Sequence, residues 1–388
     1  MHGSDNWRMK VSWSPEGLDQ TARRATGSLL QRILHLDGVL LALILLLSGI
    51  GLVVLYSAFG GRIEPVQGHW LRLAIGLGAM AVLAQIPPSR LYRMAPWIFA
   101  GVSLLLIAVL VIGQMGGGAR RWLDLGFFNL QPSEFMKLAL PMMVAWLVAR
   151  DTLPVTLGGS LQALAVIAVP VAMIGIQPDL GTAILVAAAG VAVLFLAGLG
   201  WRLLALGACL IAAAAPVLWM FGMQDYQKDR VLTFLDPERD PLGAGYNIIQ
   251  SQIAIGSGGL YGKGWMDGTQ AHLEFIPERH TDFVFAVMAE EFGFLGVLLV
   301  FGVYLAIIAR GLWIAHEAQD NFSRLLAGGI TLTFFVYCFV NIGMVSGLLP
   351  VVGLPLPLIS YGGSSMVTLL AGFGILMAIH THRRMWSS

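Results

Sequence analysis

The chain has 388 residues, 57% hydrophobic and only 12% charged, with a mean hydropathy of +0.77 and a formal net charge of +1. Soluble domains carry about 25% charged residues, so a soluble core does not account for this composition and the chain reads as an integral membrane protein. The net charge says nothing about nucleic acid, but there is no basic tract that would track the phosphates of a polymer, so no nucleic-acid partner is expected.

Residues 1–36 form a polar, basic segment with Arg8, Lys10, Arg23, Arg24 and Arg32. The apolar run that follows is too long for a signal-peptide core and has no small-residue cleavage site behind it, so it reads as a first span. A span needs about 20 apolar residues. On that measure the sequence predicts about ten, over roughly 37–58, 69–87, 94–115, 130–149, 159–177, 180–198, 202–222, 283–309, 326–348 and 358–379. Backbone amides cannot stay unpaired in lipid, so spans are helices or closed barrels. Long unbroken apolar runs lack the alternation of a barrel. The expected fold is therefore an all-α polytopic membrane protein.

Lysine and arginine in short loops set the orientation. One side collects the N-terminal five with Arg90, Arg93, Arg150, Arg202, Arg310, Arg324, Arg383 and Arg384; the other holds mainly Arg62, Arg72, Arg120 and Arg121. This puts both termini in the cytoplasm and one large extracytoplasmic loop, about 223–282, between spans 7 and 8. Arg120 and Arg121 are basic on the outer side and invite an anionic partner. Cys209 and Cys338 lie in separate apolar runs and read as buried thiols, with no disulfide or metal pattern around them.

Polar groups inside or beside spans are costly and call for a reason. Gln131-Pro132-Ser133-Glu134-Phe135-Met136-Lys137 starts a helix on proline, and Glu134 and Lys137, three apart on one face, can pair. That pair either neutralises itself within the bundle or lines a wet cavity. Pro178 breaks two spans, and Asp179 behind it either caps the next helix or stands as a second acid near Lys137. Glu290 and Glu291 lie deep in span 8, with Glu290 roughly on the face of Asp282. Pro355-Leu356-Pro357-Leu358-Ile359-Ser360-Tyr361-Gly362-Gly363-Ser364-Ser365 breaks a would-be span, as a loop bordering a cavity or a re-entrant turn.

In the outer loop, Asp236 to Pro241 is a turn segment, and Tyr246 to Ile255 has the apolar spacing of a short helix lying on the membrane surface. Gly256 to Gly264 looks like a phosphate loop, but Gly264 stands where a Walker motif needs Ser or Thr, so it reads as a flexible or backbone-donating loop. No zinc signature and no nucleophile elbow is present. The loop ends on Glu274-Phe275-Ile276-Pro277-Glu278-Arg279-His280-Thr281-Asp282, which puts a carboxylate where loop meets bilayer. Asp282 there is either a helix cap or a catalytic group.

The stretches 131–137, 177–182, 277–283 and 358–365, with the ten-span plan and the large outer loop, resemble the SEDS family (shape, elongation, division and sporulation). The likeness covers nearly the whole chain after about residue 35. Gly268-Thr269-Gln270 ahead of Pro277 to Phe283 looks like the elongation branch. The resemblance implies a peptidoglycan glycosyltransferase that polymerises lipid II, a disaccharide-pentapeptide on undecaprenyl pyrophosphate, at the outer face of the cytoplasmic (inner) membrane. It puts the essential acid at Asp282 and a cavity at Glu134, Lys137 and Asp179, with Ser364 in the last motif. As base, Asp282 would be kept ionised by Arg279 or His280. Arg120, Arg121, Lys137 and Arg279 are the cations available to the leaving pyrophosphate. A divalent cation could share that task, though no ligand set demands one. The implied partners are membrane lipids and a class B penicillin-binding transpeptidase of the elongation machinery. The alternatives are a lipid II transporter and a scaffold without catalysis.

Overall fold

The structure, a computed structural model, describes residues 35–116, 119–124, 126, 129–151, 153–223, 225–239, 245–273 and 275–382. The basic segment up to residue 34, Glu274, Arg383 and Arg384 lie outside the described residues.

The chain runs α1 (Gly38–Ala58), α2 (Ile63–Ala84), α3 (Pro88–Ile112), strands β1 (Gln114–Gly116), β2 (Ala119–Asp124) and β3 (Asn129–Leu130), then α4 (Pro132–Val148), α5 (Leu157–Ile176), α6 (Leu180–Leu196) and α7 (Trp201–Val217). The long loop after α7 holds α8 (Asp225–Leu235), α9 (Tyr246–Ser257) and the single turn α10 (Thr269–His272); α11 (Val284–His316), α12 (Asn321–Val345) and α13 (Ser364–Thr381) complete the chain. Among the described residues seven helices are long and apolar enough to cross a membrane. The 17-residue helices α4, α6 and α7 stand at the other three predicted positions. The protein is an all-α polytopic membrane protein with little strand.

Helices α2 and α3 begin at Ile63 and Pro88, ahead of the predicted 69 and 94. Hydropathy trims charged first turns that a helix accepts, because Glu64 suits an N-terminus and Pro88 suits the first position. The antiparallel order β1-β2-β3 between α3 and α4 was not foreseen. It turns β2, with Arg121 and Trp122, back beside the start of α4.

Both described ends meet on one face, where the His35 and His382 rings stack at 4.1 Å. Asp37 caps α1 and joins it to α11 and α13 through Arg310 (2.5 Å) and His380 (2.7 Å). Burial pushes this carboxyl up, but hydrogen bonds from His380 and Arg310 outweigh burial and hold it well below the usual range.

Two irregular segments shape the opposite half. The first is the connection between α12 and α13. Leu358 to Gly363 is not helical, so the break expected over Pro355 to Ser365 is present and the last span starts after the 358 that hydropathy marked. Pro355, Pro357 and the Gly362-Gly363 pair deny it a helix. It enters the bundle instead: Gly51, midway along α1, lies against the Leu358 carbonyl with no room for a Cβ, and the Tyr304 hydroxyl donates to the Pro357 carbonyl at 2.7 Å. Such backbone survives at depth because protein covers it.

The second is a break in α11 at Gly293 (φ 63°, ψ −165°). The carbonyls of Glu290 and Glu291 accept from the Lys263 and Gly264 amides (3.0 and 3.1 Å), and the Phe294 and Leu295 amides donate to the Gly259 and Leu260 carbonyls (2.9 and 3.1 Å). The glycine loop is thus backbone-donating, toward its own chain. Gly262 (φ 79°) fits because a Cβ there would stand 2.1 Å from the Glu291 carbonyl oxygen.

Gly262→Ala adds both a left-handed alanine and that clash, so it should cost roughly 2–4 kcal/mol. Gly256→Ala, in α9 with open space at its Cβ, should be neutral or stabilising by up to about 1 kcal/mol. Thermal unfolding in detergent compares the two.

Candidate active site

Residues 277–282 form the turn that leads into α11. Its internal bonds run from the Thr281 and Phe283 amides to the Glu278 carbonyl (each 3.2 Å) and from the Thr281 hydroxyl to the Glu278 carboxylate (2.6 Å). Outside contacts tie the later residues to the end of α1, to the connection before α13 and to α12. Arg279 Nε donates to the Ala58 carbonyl at the end of α1 (2.8 Å). The His280 ring stacks on Phe59 at 4.9 Å, and its carbonyl accepts from the Tyr361 amide (2.8 Å). Ser360 donates to the Thr281 carbonyl (2.6 Å). Asn341, fully buried in α12, donates to the carbonyls of Asp282 (3.0 Å) and Leu354 (2.5 Å).

None of these bonds uses the Asp282 carboxyl. It faces Gly353 (φ 74°), where a Cβ would stand 3.4 Å from Oδ2. The cap position of α11 is Phe283, with no side-chain capping bond, so capping does not explain Asp282. Burial pushes its pKa up to about 6; the nearby charge of Glu278 adds to this, and Arg230 of α8 pulls against it. The His280 ring is pushed down, first by burial and then by the charges of Arg279 and Arg62, with Glu278 opposing. His280 is thus neutral near pH 7. The expectation that Arg279 or His280 keeps Asp282 ionised is not met; the cation acting on it is Arg230, which hydropathy gave no reason to select.

Glu134 and Lys137 do pair, at 2.6 Å, both buried. Lys137 also lies 2.5 Å from the Tyr337 hydroxyl and over its ring. The cavity beside them, shared with Thr333, Ser365 and Thr368, holds about 20 Å³, room for one water but not a sugar. Asp179 caps α6 through the Thr182 amide (3.3 Å) and faces Arg121 at 3.4 Å. Its ion partner is therefore Arg121, not Lys137. The two acids Asp179 and Asp282 flank one segment: the Val352 carbonyl abuts Gly181 and Gly353 abuts Asp282.

A larger cleft, about 890 Å³, is lined by Arg72, Gln114, Trp122, Asn129, Phe135, Gly363 and Ser364. Ser364 therefore lines a cleft, and Arg72 reaches from it over the Tyr361 ring (4.7 Å), toward the residue bonded to His280. The Arg120 side chain lies outside the described residues. Helix α7 buries almost none of its described side chains, with Trp201, Leu206, Leu210 and Val217 all exposed, so its apolar surface is left to lipid. Among the described residues no three of His, Cys, Asp and Glu group as metal ligands.

The family model FTSW_RODA_SPOVE, described as cell cycle protein, matches residues 38–385. The chain belongs to this family, the SEDS family. It is 54% identical over 353 residues to peptidoglycan glycosyltransferase MrdB of Escherichia coli K12, covering 91% of this chain and 95% of that one. It is 37% identical over 362 residues to probable peptidoglycan glycosyltransferase FtsW of Trichlorobacter lovleyi, covering 90% and 94%. Its structure resembles a chain solved in work on polymerization and crosslinking by a peptidoglycan synthase complex (TM-score 0.77, 33% identity, 89% of this chain and 97% of that one). It also resembles the rod shape determining protein RodA of Thermus thermophilus (TM-score 0.69, 30% identity, 90% and 98%).

Removing one member of a buried ion pair leaves an uncompensated charge. Lys137→Met should therefore lower stability by roughly 3–5 kcal/mol, and the double variant Glu134→Gln/Lys137→Met should recover most of that loss. Thermal unfolding in detergent checks the pattern.

Proposed function

We propose that this protein polymerises lipid II into glycan strands for cell-wall elongation, with Asp282 as the general base. The 4-hydroxyl of one sugar attacks the anomeric carbon of another. The new glycosidic bond forms as the bond to phosphate breaks, undecaprenyl pyrophosphate leaves, and the hydroxyl proton passes to Asp282. A positioned base contributes about 10²–10⁴-fold when its pKa lies near the working pH. The observation that carries this reading is Asp282 itself: a partly buried carboxyl, pushed up to about 6, on a turn whose backbone is bonded on both sides and whose side chain is spared.

The remaining geometry supports the same chemistry. The Arg72 cleft suits a polar headgroup beside apolar walls. Arg121, part-exposed beside Asp179, and Arg72 are the cations best placed for a departing diphosphate. Lys137 is enclosed and Arg279 is turned to Ala58, which makes both weaker choices than the sequence suggested.

The protein is set in the cytoplasmic (inner) membrane with the outer loop outward, an orientation supported by the basic loops and by the two chain ends meeting on one face. Its partner is a class B penicillin-binding transpeptidase, supported by the similar chain studied within a peptidoglycan synthase complex. The higher identity to MrdB than to the FtsW-named relative supports the elongation role.

Purified protein in detergent, where no membrane sidedness exists, should convert labelled lipid II to polymer without another glycosyltransferase. Asp282→Asn should lower that rate by at least about 10²-fold while leaving the fold intact. Polymer absent from the unmodified protein, with its partner added, would favour transport or scaffolding instead.

Because the base must be ionised, kcat/KM should fall as pH drops through about 6. Arg230→Gln removes the charge that pulls the pKa down and should move this limb upward. Glu278→Gln removes a charge that pushes it up and should move the limb downward, modestly, since Glu278 is exposed. Initial rates across the pH range read both directions.

A further inference from the structure

The buried acids of α11 have no part in the reaction just described, yet Glu290 is held by several donors at once. Glu290 is fully buried. It takes Lys263 Nζ at 2.7 Å, the Thr269 hydroxyl at 3.1 Å and the Gln270 amide at 3.0 Å. Glu291 accepts from Ser57 of α1, and the charges of Glu290 and Asp267 bear on it. All these partners converge on the Gly293 break, where the glycine loop already stands in for the missing helical bonds.

The break makes the first part of α11, Val284 to Phe292, a separate short rod with Asp282 just beyond its far end. A helix of this length is not stable alone. Asp282 lies 11 residues from the pivot, about 16 Å at helical rise. A swing of about 5° at Gly293 therefore carries the carboxyl roughly 1.4 Å, and misplacement by about 1 Å can cost 10²-fold in rate. Asn341 and Ser360 hold the backbone of the turn; the rod behind it needs its own restraint. Burying Glu290 costs desolvation that its pairing with the part-exposed Lys263 only offsets, so the pair is a poor choice for stability alone.

We infer that Lys263 and Glu290 are a positioning pair: the ion pair fixes the angle of the α11 break at Gly293 and thereby aims the Asp282 carboxyl at the sugar hydroxyl. The inference rests on the glycosyl transfer proposed above.

Lys263→Met tests it, with Lys263→Arg as the conservative variant. Three quantities are measured on the full-length protein: kcat and KM for lipid II polymerisation, the acid limb of the rate, and hydrogen exchange at the Phe294 and Leu295 amides. Lys263→Met should lower kcat about 10-fold or more at nearly constant KM. It should also displace the acid limb, although Glu278 and Arg230, the charged groups acting on Asp282, are untouched, and it should speed exchange at both amides. Lys263→Arg should restore all three. If Lys263→Met does not fold, Thr269→Val, which removes one donor, should give a smaller change in the same direction. Faster exchange with kcat and acid limb unmoved would make the pair structural only and overturn the inference. Unchanged exchange would overturn it too. An unmodified protein that makes no polymer would instead remove the glycosyltransferase reading, and this inference with it, whatever exchange shows.

Discussion

A backbone amide or carbonyl in hydrocarbon has no water to turn to, and the half of this protein that carries Asp282 is built around places where the chain breaks that rule locally and then repairs it. At Gly293 the helical ladder of α11 stops, and residues 259–264 supply the missing partners from the loop. Between α12 and α13 the chain abandons helix over Leu358 to Gly363, and Tyr304, Asn341 and Ser360 bond its carbonyls and amides or those next to it. The repairs demand glycine wherever two backbones touch, at Gly51, Gly262 and Gly293. Residues 353–361 and the α11 rod are the elements against which Asp282 is held. The site is therefore a by-product of satisfying backbone polarity where straight helices end.

Electrostatics then separates the acids by role. Asp179 faces Arg121, Glu134 faces Lys137, and Glu290 faces Lys263. Asp282 is given burial, a like charge from Glu278 and only the opposing influence of Arg230. A carboxyl with this balance stays a stronger base than a surface aspartate. The small cavity beside Lys137 and the wide cleft beside Arg72 differ in size: one has room for a water, the other for a sugar-sized group.

Much of this was legible in the sequence. Long apolar runs placed the helices, because hydrocarbon thickness fixes their length. Pro132 marked the start of α4, and Pro178 with Asp179 marked the start of α6, because proline and capping chemistry act locally. Spacing alone paired Glu134 with Lys137. The misses are contacts across distance. Arg230 acts on Asp282 from a loop helix, Lys263 meets Glu290 and Arg121 meets Asp179, and none of these pairs leaves a periodic trace. Asn341 gave a faint signal, as an amide within an apolar run. The strands carrying Arg121 were too short for composition to mark them, whereas the prolines and paired glycines of 355–365 did mark the break before α13.

The proposed mechanism requires that one carboxyl, Asp282, take up its proton near pH 6 and that this proton govern the chemistry. Infrared difference spectra of the unmodified protein against Asp282→Asn, taken over about pH 4–8, read that proton directly. The account predicts a protonated-carboxyl band belonging to Asp282 that disappears with a midpoint near 6, in step with the rise of polymerisation rate. A carboxyl already ionised at about pH 4–5, in the ordinary aspartate range, or a titration unrelated to the rate, would contradict it.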